Sequence, residues 1–225
     1  MNHSLNLKYA IFDMDGLMFD TERLVITAFQ RCISPQAGCE FPTDKMTQFL
    51  GLDFRACTVL FAKLFNSRLT FKECRDIASV WIQNYIDTNG IPIKPGLITL
   101  LEWLKKCDFH TAVATSSNYD LAYSYITTAK INHYFEKIIS GDMITKSKPD
   151  PQIFEAALSA LQCNNKLSCI IFEDSLNGLL AAEAAKIPCI IVPDLIDPTL
   201  DHDGMYLAKV NTLADAIPVI NAYNI

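Results

Sequence analysis

From Phe109 onward, short apolar runs alternate with amphipathic stretches along the chain. Residues 109–114 predict a strand and residues 118–130 a helix. Residues 137–140 predict a short strand and 151–162 a helix, followed by an entirely apolar strand over 169–172. An Ala-rich helix over 176–185, a strand over 188–192 and a closing strand and helix beyond Asp194 complete the series. Near the N-terminus, Tyr9-Ala10-Ile11-Phe12 predicts one more buried strand. Strands that are apolar throughout and separated by helices imply a parallel sheet covered on both faces. The expected fold class is therefore α/β, a doubly wound parallel sheet.

The pattern changes between the first strand and about Ile91. Aromatic and aliphatic residues recur at helical spacing there, as in Leu60, Phe61, Leu64 and Phe65, with no clear strand. A loop of that length would be unusual, so the segment predicts a helical insertion. The expected division is a core domain of residues 1–16 and 92–225, with a helical cap domain of residues 17–91.

Composition narrows the function. Half of the 225 residues are hydrophobic, enough for a proper core, and the net charge of -6 disfavours a basic nucleic-acid surface. Met1 to Leu7 lacks a signal-peptide pattern, and no apolar run reaches the ~18 residues of a membrane span. A cytoplasmic protein with no nucleic-acid or membrane partner, a monomer or weak dimer, is the expectation. The eight cysteines form no CxxC pair and the four histidines complete no zinc spacing, so the thiols read as small buried hydrophobes in a reducing compartment.

Ligands of open α/β sheets bind at the carboxyl ends of the strands. Asp13-Met14-Asp15-Gly16 follows the first strand, and Gly16 permits a sharp turn. Thr115-Ser116-Ser117-Asn118 follows the second, placing a hydroxyl and backbone N–H groups where an anion could sit or a helix could be capped. Lys148 stands between Ser147 and Pro149, and its neighbour Lys146 lacks that constraint. Glu173-Asp174-Ser175 ends the apolar strand, where two adjacent acids are costly unless a cation balances them. Each of these has a bland alternative as a turn, a cap or a solvated charge. Together they place carboxylates, a hydroxyl and an amine at one sheet edge, the set required for metal-assisted phosphoryl transfer.

With these four motifs in this order, the chain resembles the haloacid dehalogenase superfamily of phosphatases, and most closely its β-phosphoglucomutase-like, pseudouridine-5′-phosphatase-like subgroup. The stretches DMDGLMFDTE, AVATSSN, SKPDPQIF and IFEDSLNG carry the likeness. The resemblance implies that Asp13 is a covalent nucleophile and that Asp15 protonates the leaving group and then activates water. It implies phosphate binding by Thr115, Ser116 and Lys148. It also implies a Mg²⁺ ion held by Asp13, the Asp15 main-chain carbonyl and Asp174, with Glu173 reaching it directly or through water. The substrate would be a small phosphorylated metabolite, a sugar phosphate or nucleoside monophosphate, selected by the cap through candidates such as Glu22, Arg23, Lys45 and Arg55.

Two alternatives stand beside a phosphatase. A β-phosphoglucomutase shares the motifs but carries a histidine where this chain has Val25, and its Gly-x-x-Arg turn is one residue shorter than Gly51–Arg55. A catalytically silent phosphate-binding regulator would show lesions in the motifs, and every ionisable position is filled.

Overall fold

The computed structural model describes residues 5–52 and 54–224. The readings of Met1 to Ser4 and of Asp53 lie outside the described residues. Six parallel strands form one sheet: β1 (Tyr9–Phe12), β2 (His110–Ala114), β3 (Lys137–Ile139), β4 (Cys169–Glu173), β5 (Cys189–Ile191) and β6 (Ala208–Lys209), in the order β3-β2-β1-β4-β5-β6. The order reverses at β1, the switch point where doubly wound sheets bind ligands. Register fixes the neighbours: Phe12 lies opposite Val113 on one side and Phe172 on the other. The next residue, Asp13, therefore emerges beside Ala114 and Glu173.

Alternation along the strands builds two apolar layers. Ile11, Ala112, Ala114, Cys169 and Ile171 pack with Ile153, Phe154 and Ala157 of one helix and Leu179, Ala181, Ala182 and Ala185 of another. Phe12 turns the other way and stacks on Phe172 at 4.6 Å. The small residues of the Ala-rich helix let it approach the sheet closely, which is why that segment is buried without an aliphatic stripe.

The chain splits into two compact units, Met1–Phe19 with Ile93–Ile225, and Asp20–Pro92. Leu17–Phe19 belong with the sheet because Phe19 bridges to Asp15 and to Ile93. The smaller unit contains α1 (Thr21–Ala28), a π-helical stretch (Phe29–Ile33), α2 (Ser34–Ala37), α3 (Thr43–Met46), α4 (Phe54–Leu64) and α5 (Phe71–Asn89). Its centre is aromatic: Phe41 meets Phe29, Phe61 and Phe65 at 5.2, 5.9 and 4.7 Å between ring centroids. The longest helix starts with a reciprocal cap between Thr70 and Glu73. The larger unit carries α6 (Leu97–Lys106), α7 (Tyr119–Thr128), α8 (Gln152–Ala160), α9 (Leu176–Ala185) and α10 (Ala216–Tyr223).

The eight cysteines are thiols rather than disulfides; Cys57, Cys74, Cys169 and Cys189 are buried and the other four partly so. Burial raises the Cys74 thiol to about 11 and holds Cys169 and Cys189 well above the usual thiol range. Brief alkylation of the native protein at pH 8 is expected to label only Cys32, Cys39, Cys107 and Cys163. Peptide mass spectrometry showing a buried thiol labelled as fast as these would contradict the core assignment.

Candidate active site

Asp13 and Asp15 leave β1 on a turn closed upon itself. The Gly16 N–H donates to the Phe19 carbonyl at 2.9 Å, and Phe19 N–H donates to Met14 at 3.1 Å. Gly16 takes φ = 84°, a conformation that an L side chain disfavours. A further bond from Asp13 N–H to the Phe172 carbonyl, 3.1 Å, anchors the start of the turn on β4. Two carboxyl groups are thus presented by rigid backbone.

The second turn is equally fixed. Thr115 is buried, and its N–H donates to the Ile139 carbonyl at 3.0 Å. Its hydroxyl accepts from the Ser117 N–H at 3.1 Å. Capping of α7 falls to Asn118, whose side chain accepts from Leu121 N–H at 2.9 Å. Thr115 to Ser117 therefore form a turn of their own before the helix, with Ser116 exposed.

Lys148 lies at the centre. Its ammonium donates to Asp13 Oδ1, to Glu173 Oε1 at 2.6 Å and to the Ala114 carbonyl at 3.2 Å. An ammonium has three donors, and here three acceptors from β2, β4 and the end of β1 take them. The Phe154 ring lies 4.9 Å away and covers the cation. Lys146, by contrast, is exposed and makes a loose 3.5 Å pair with Asp150.

Glu173 is fully buried. Oε1 takes Lys148, while Oε2 accepts from Asp174 N–H, Ser175 N–H and Ser175 Oγ at 3.1, 3.2 and 3.0 Å. Ser175 also caps α9, accepting from Gly178 N–H at 3.1 Å. A Cβ at Gly178 would collide with the Glu173 carboxyl group. Gly178→Ala is therefore expected to displace Glu173, loosen Lys148 and lower phosphate release about 100-fold, by analogy with the loss of one preorganised electrostatic contact. Wild-type turnover in that variant would contradict the assigned packing.

The carboxylates Asp13, Glu173 and Asp174 lie within 4.8 Å of one another and are all buried. Burial, with Glu173 and Asp15 adding repulsion, lifts Asp13 to about 7 although Lys148 pulls the other way. For Lys148 burial acts downward, but Asp13 and Glu173 outweigh it and hold the ammonium above its ordinary range. One ammonium does not balance this many acids. The donors are all oxygen, the set preferred by a hard divalent cation such as Mg²⁺.

Sequence reasoning identified Asp13, Asp15, Thr115, Ser116, Lys148, Glu173 and Asp174, and the fold gathers these motifs at one sheet edge. It passed over Ser117, whose Oγ–H donates to Asp15 Oδ2 at 2.8 Å. It also passed over Gly178, signalled only by a glycine in the first turn after a capping serine. Among the insertion candidates, Arg23 pairs with Asp20 at 2.7 Å, and Lys45 stands 5.7 Å over the Phe65 ring.

No helix among the described residues is long and apolar enough to cross a membrane. The family model for haloacid dehalogenase-like hydrolases matches residues 10–192. A phosphorylated carbohydrates phosphatase of Thermotoga maritima is 27% identical over 190 residues, 80% of this chain and 82% of that protein. A protein of Drosophila melanogaster described as a probable pseudouridine-5′-phosphatase is 29% identical over 223 residues, 93% of this chain and 91% of its own. In fold, the chain is similar to CbbY of Rhodobacter sphaeroides, solved in complex with phosphate. The TM-score is 0.78 at 21% identity, covering 96% of this chain and 99% of that one.

Proposed function

The chain belongs to the haloacid dehalogenase-like hydrolases, and from that premise we propose that it is a Mg²⁺-dependent phosphatase of small phosphorylated metabolites that works through an aspartyl-phosphate. The observation that carries this is the saturated Lys148 ammonium, which fixes Asp13 beside the Thr115 turn. The phosphatase names of the relatives, one for carbohydrates and one for a nucleoside monophosphate, support the reaction and the substrate class.

In this reading an Asp13 oxygen attacks phosphorus and the ester P–O bond breaks. Asp15 gives its proton to the departing oxygen, then takes one from the water that releases phosphate. The Thr115 hydroxyl and Ser116 N–H receive phosphoryl oxygens, while Lys148 offsets their charge. Asp13, Asp174 and the Asp15 main-chain carbonyl would hold Mg²⁺, which supplies positive charge at the phosphoryl oxygens and favours ionised Asp13. With both oxygens already bonded, Glu173 holds Lys148 and the α9 turn in place. Substrate choice falls to the helical insertion, and the setting is cytoplasmic.

Phosphate release from a panel of sugar phosphates and nucleoside monophosphates, with Mg²⁺ or EDTA, tests the proposal. Mg²⁺-dependent release is the expected result. No release, with β-glucose 1-phosphate isomerised to glucose 6-phosphate, would make the protein a mutase instead.

A further inference from the structure

We propose that Ser117 positions the Asp15 carboxyl group for proton transfer, an inference that rests on the acid–base role assigned to Asp15. The Ser117 Oγ–H donates to Asp15 Oδ2 at 2.8 Å, joining the turn after β2 to the turn after β1. Ser117 is itself held from two sides. Its N–H donates to Thr115 Oγ1 at 3.1 Å, and its carbonyl accepts from Gly141 N–H at 2.8 Å. Gly141 permits that approach, because a Cβ there would run into the Ser116 carbonyl. The donor is thus built on backbone pinned to the phosphate seat and to the end of β3.

A fixed donor matters because an aspartate side chain otherwise samples several staggered rotamers. Proton transfer requires the acid within about 2.6–3.2 Å of the leaving oxygen. A hydroxyl on Oδ2 selects one orientation before substrate arrives. Ser117 keeps its own proton throughout. In the first half-reaction the Asp13–phosphorus bond forms, the ester P–O bond breaks and the Asp15 proton goes to the departing oxygen. In the second, water bonds to phosphorus, the Asp13–phosphorus bond breaks and the water proton goes to Asp15. Ser117 is a positioning residue in both, and the tie links phosphate seat and acid in one unit.

The test compares kcat/KM for glycerol 2-phosphate and p-nitrophenyl phosphate, for Ser117→Ala in the wild-type and Asp15→Asn backgrounds. This constant covers only the steps through alcohol release, and p-nitrophenolate leaves without a proton. Ser117→Ala is expected to lose about tenfold with the alkyl ester, a fraction of the usual acid–base contribution, and to stay within about twofold with the aryl ester. In the Asp15→Asn background it is expected to add nothing. Equal losses with both esters, no loss with the alkyl ester, or an undiminished loss without Asp15 would each overturn the inference alone. If Asp15→Asn itself slows both esters equally, the acid role of Asp15 fails and the inference falls with it.

Discussion

Asp13→Asn is expected to lower phosphate release by about 10⁴-fold or more while leaving the fold intact. An amide of the same shape fills the position, so the turn after β1 loses no backbone bond. It cannot attack phosphorus, and enzymes deprived of their nucleophile fall by such factors. The change also removes a buried carboxyl group whose charge the fold tolerates poorly, since burial lifts Asp13 to about 7. The sign follows from linkage. A carboxyl raised above its unfolded value contributes stability at low pH, and that stability is lost as pH rises from about 4 towards 7. Compared with Asp13→Asn in EDTA, the wild type should therefore lose stability across that window. Mg²⁺ should restore more of it near pH 8 than at pH 5. Denaturant titrations at the two pH values, with and without the metal, read both effects.

Lys148→Met is expected to be the more disruptive substitution for the fold. It leaves Asp13 and the fully buried Glu173 facing each other without the cation they share. Removing one partner from a buried charge network costs about 3–5 kcal/mol when the remaining charge has no escape. Protonation is the escape here. Lys148 is the largest influence pulling the Asp13 value down, so its loss raises that value further. The variant should lie nearest to wild type at pH 5 and fall behind as pH rises to 8. Phosphate release should drop about 10²–10³-fold through the lost electrostatic contact. A variant equally stable at both pH values would contradict the assigned pairing.

The sheet was legible because its strands announce themselves. Cys169 to Phe172 is apolar at every position and too short for a helix of its own, as expected of a strand covered on both faces. The acidic residues could be read for the same reason, since carboxylates at the end of such a strand need an explanation. Other elements gave weaker signals. Leu97, Leu100, Leu101 and Leu104 line the buried face of α6, yet this helix directly follows the Pro95-Gly96 turn at the domain boundary and is not among the elements expected from the sequence. A closing strand beyond Asp194 is expected and β6 is found there, but its two residues are too few for a period to give its bounds. Ser117 was missed for another reason. In a row of consecutive polar residues, only the pairing of turns 102 positions apart decides which hydroxyl meets Asp15. The Lys148–Glu173 bond is likewise a product of topology, visible once β1 is known to lie between β2 and β4.

The covalent role of Asp13 is tested most directly by acid-quenching the Asp15→Asn variant during turnover of p-nitrophenyl phosphate in Mg²⁺. Peptide mass spectrometry then locates any bound phosphoryl group. Phosphorylation needs no acid with this leaving group, whereas water activation needs Asp15. The predicted result is close to one phosphoryl group per chain, labile to hydroxylamine and confined to the peptide bearing Asp13. Release of p-nitrophenol with no adduct on that peptide, or an adduct elsewhere, would contradict Asp13 as the nucleophile.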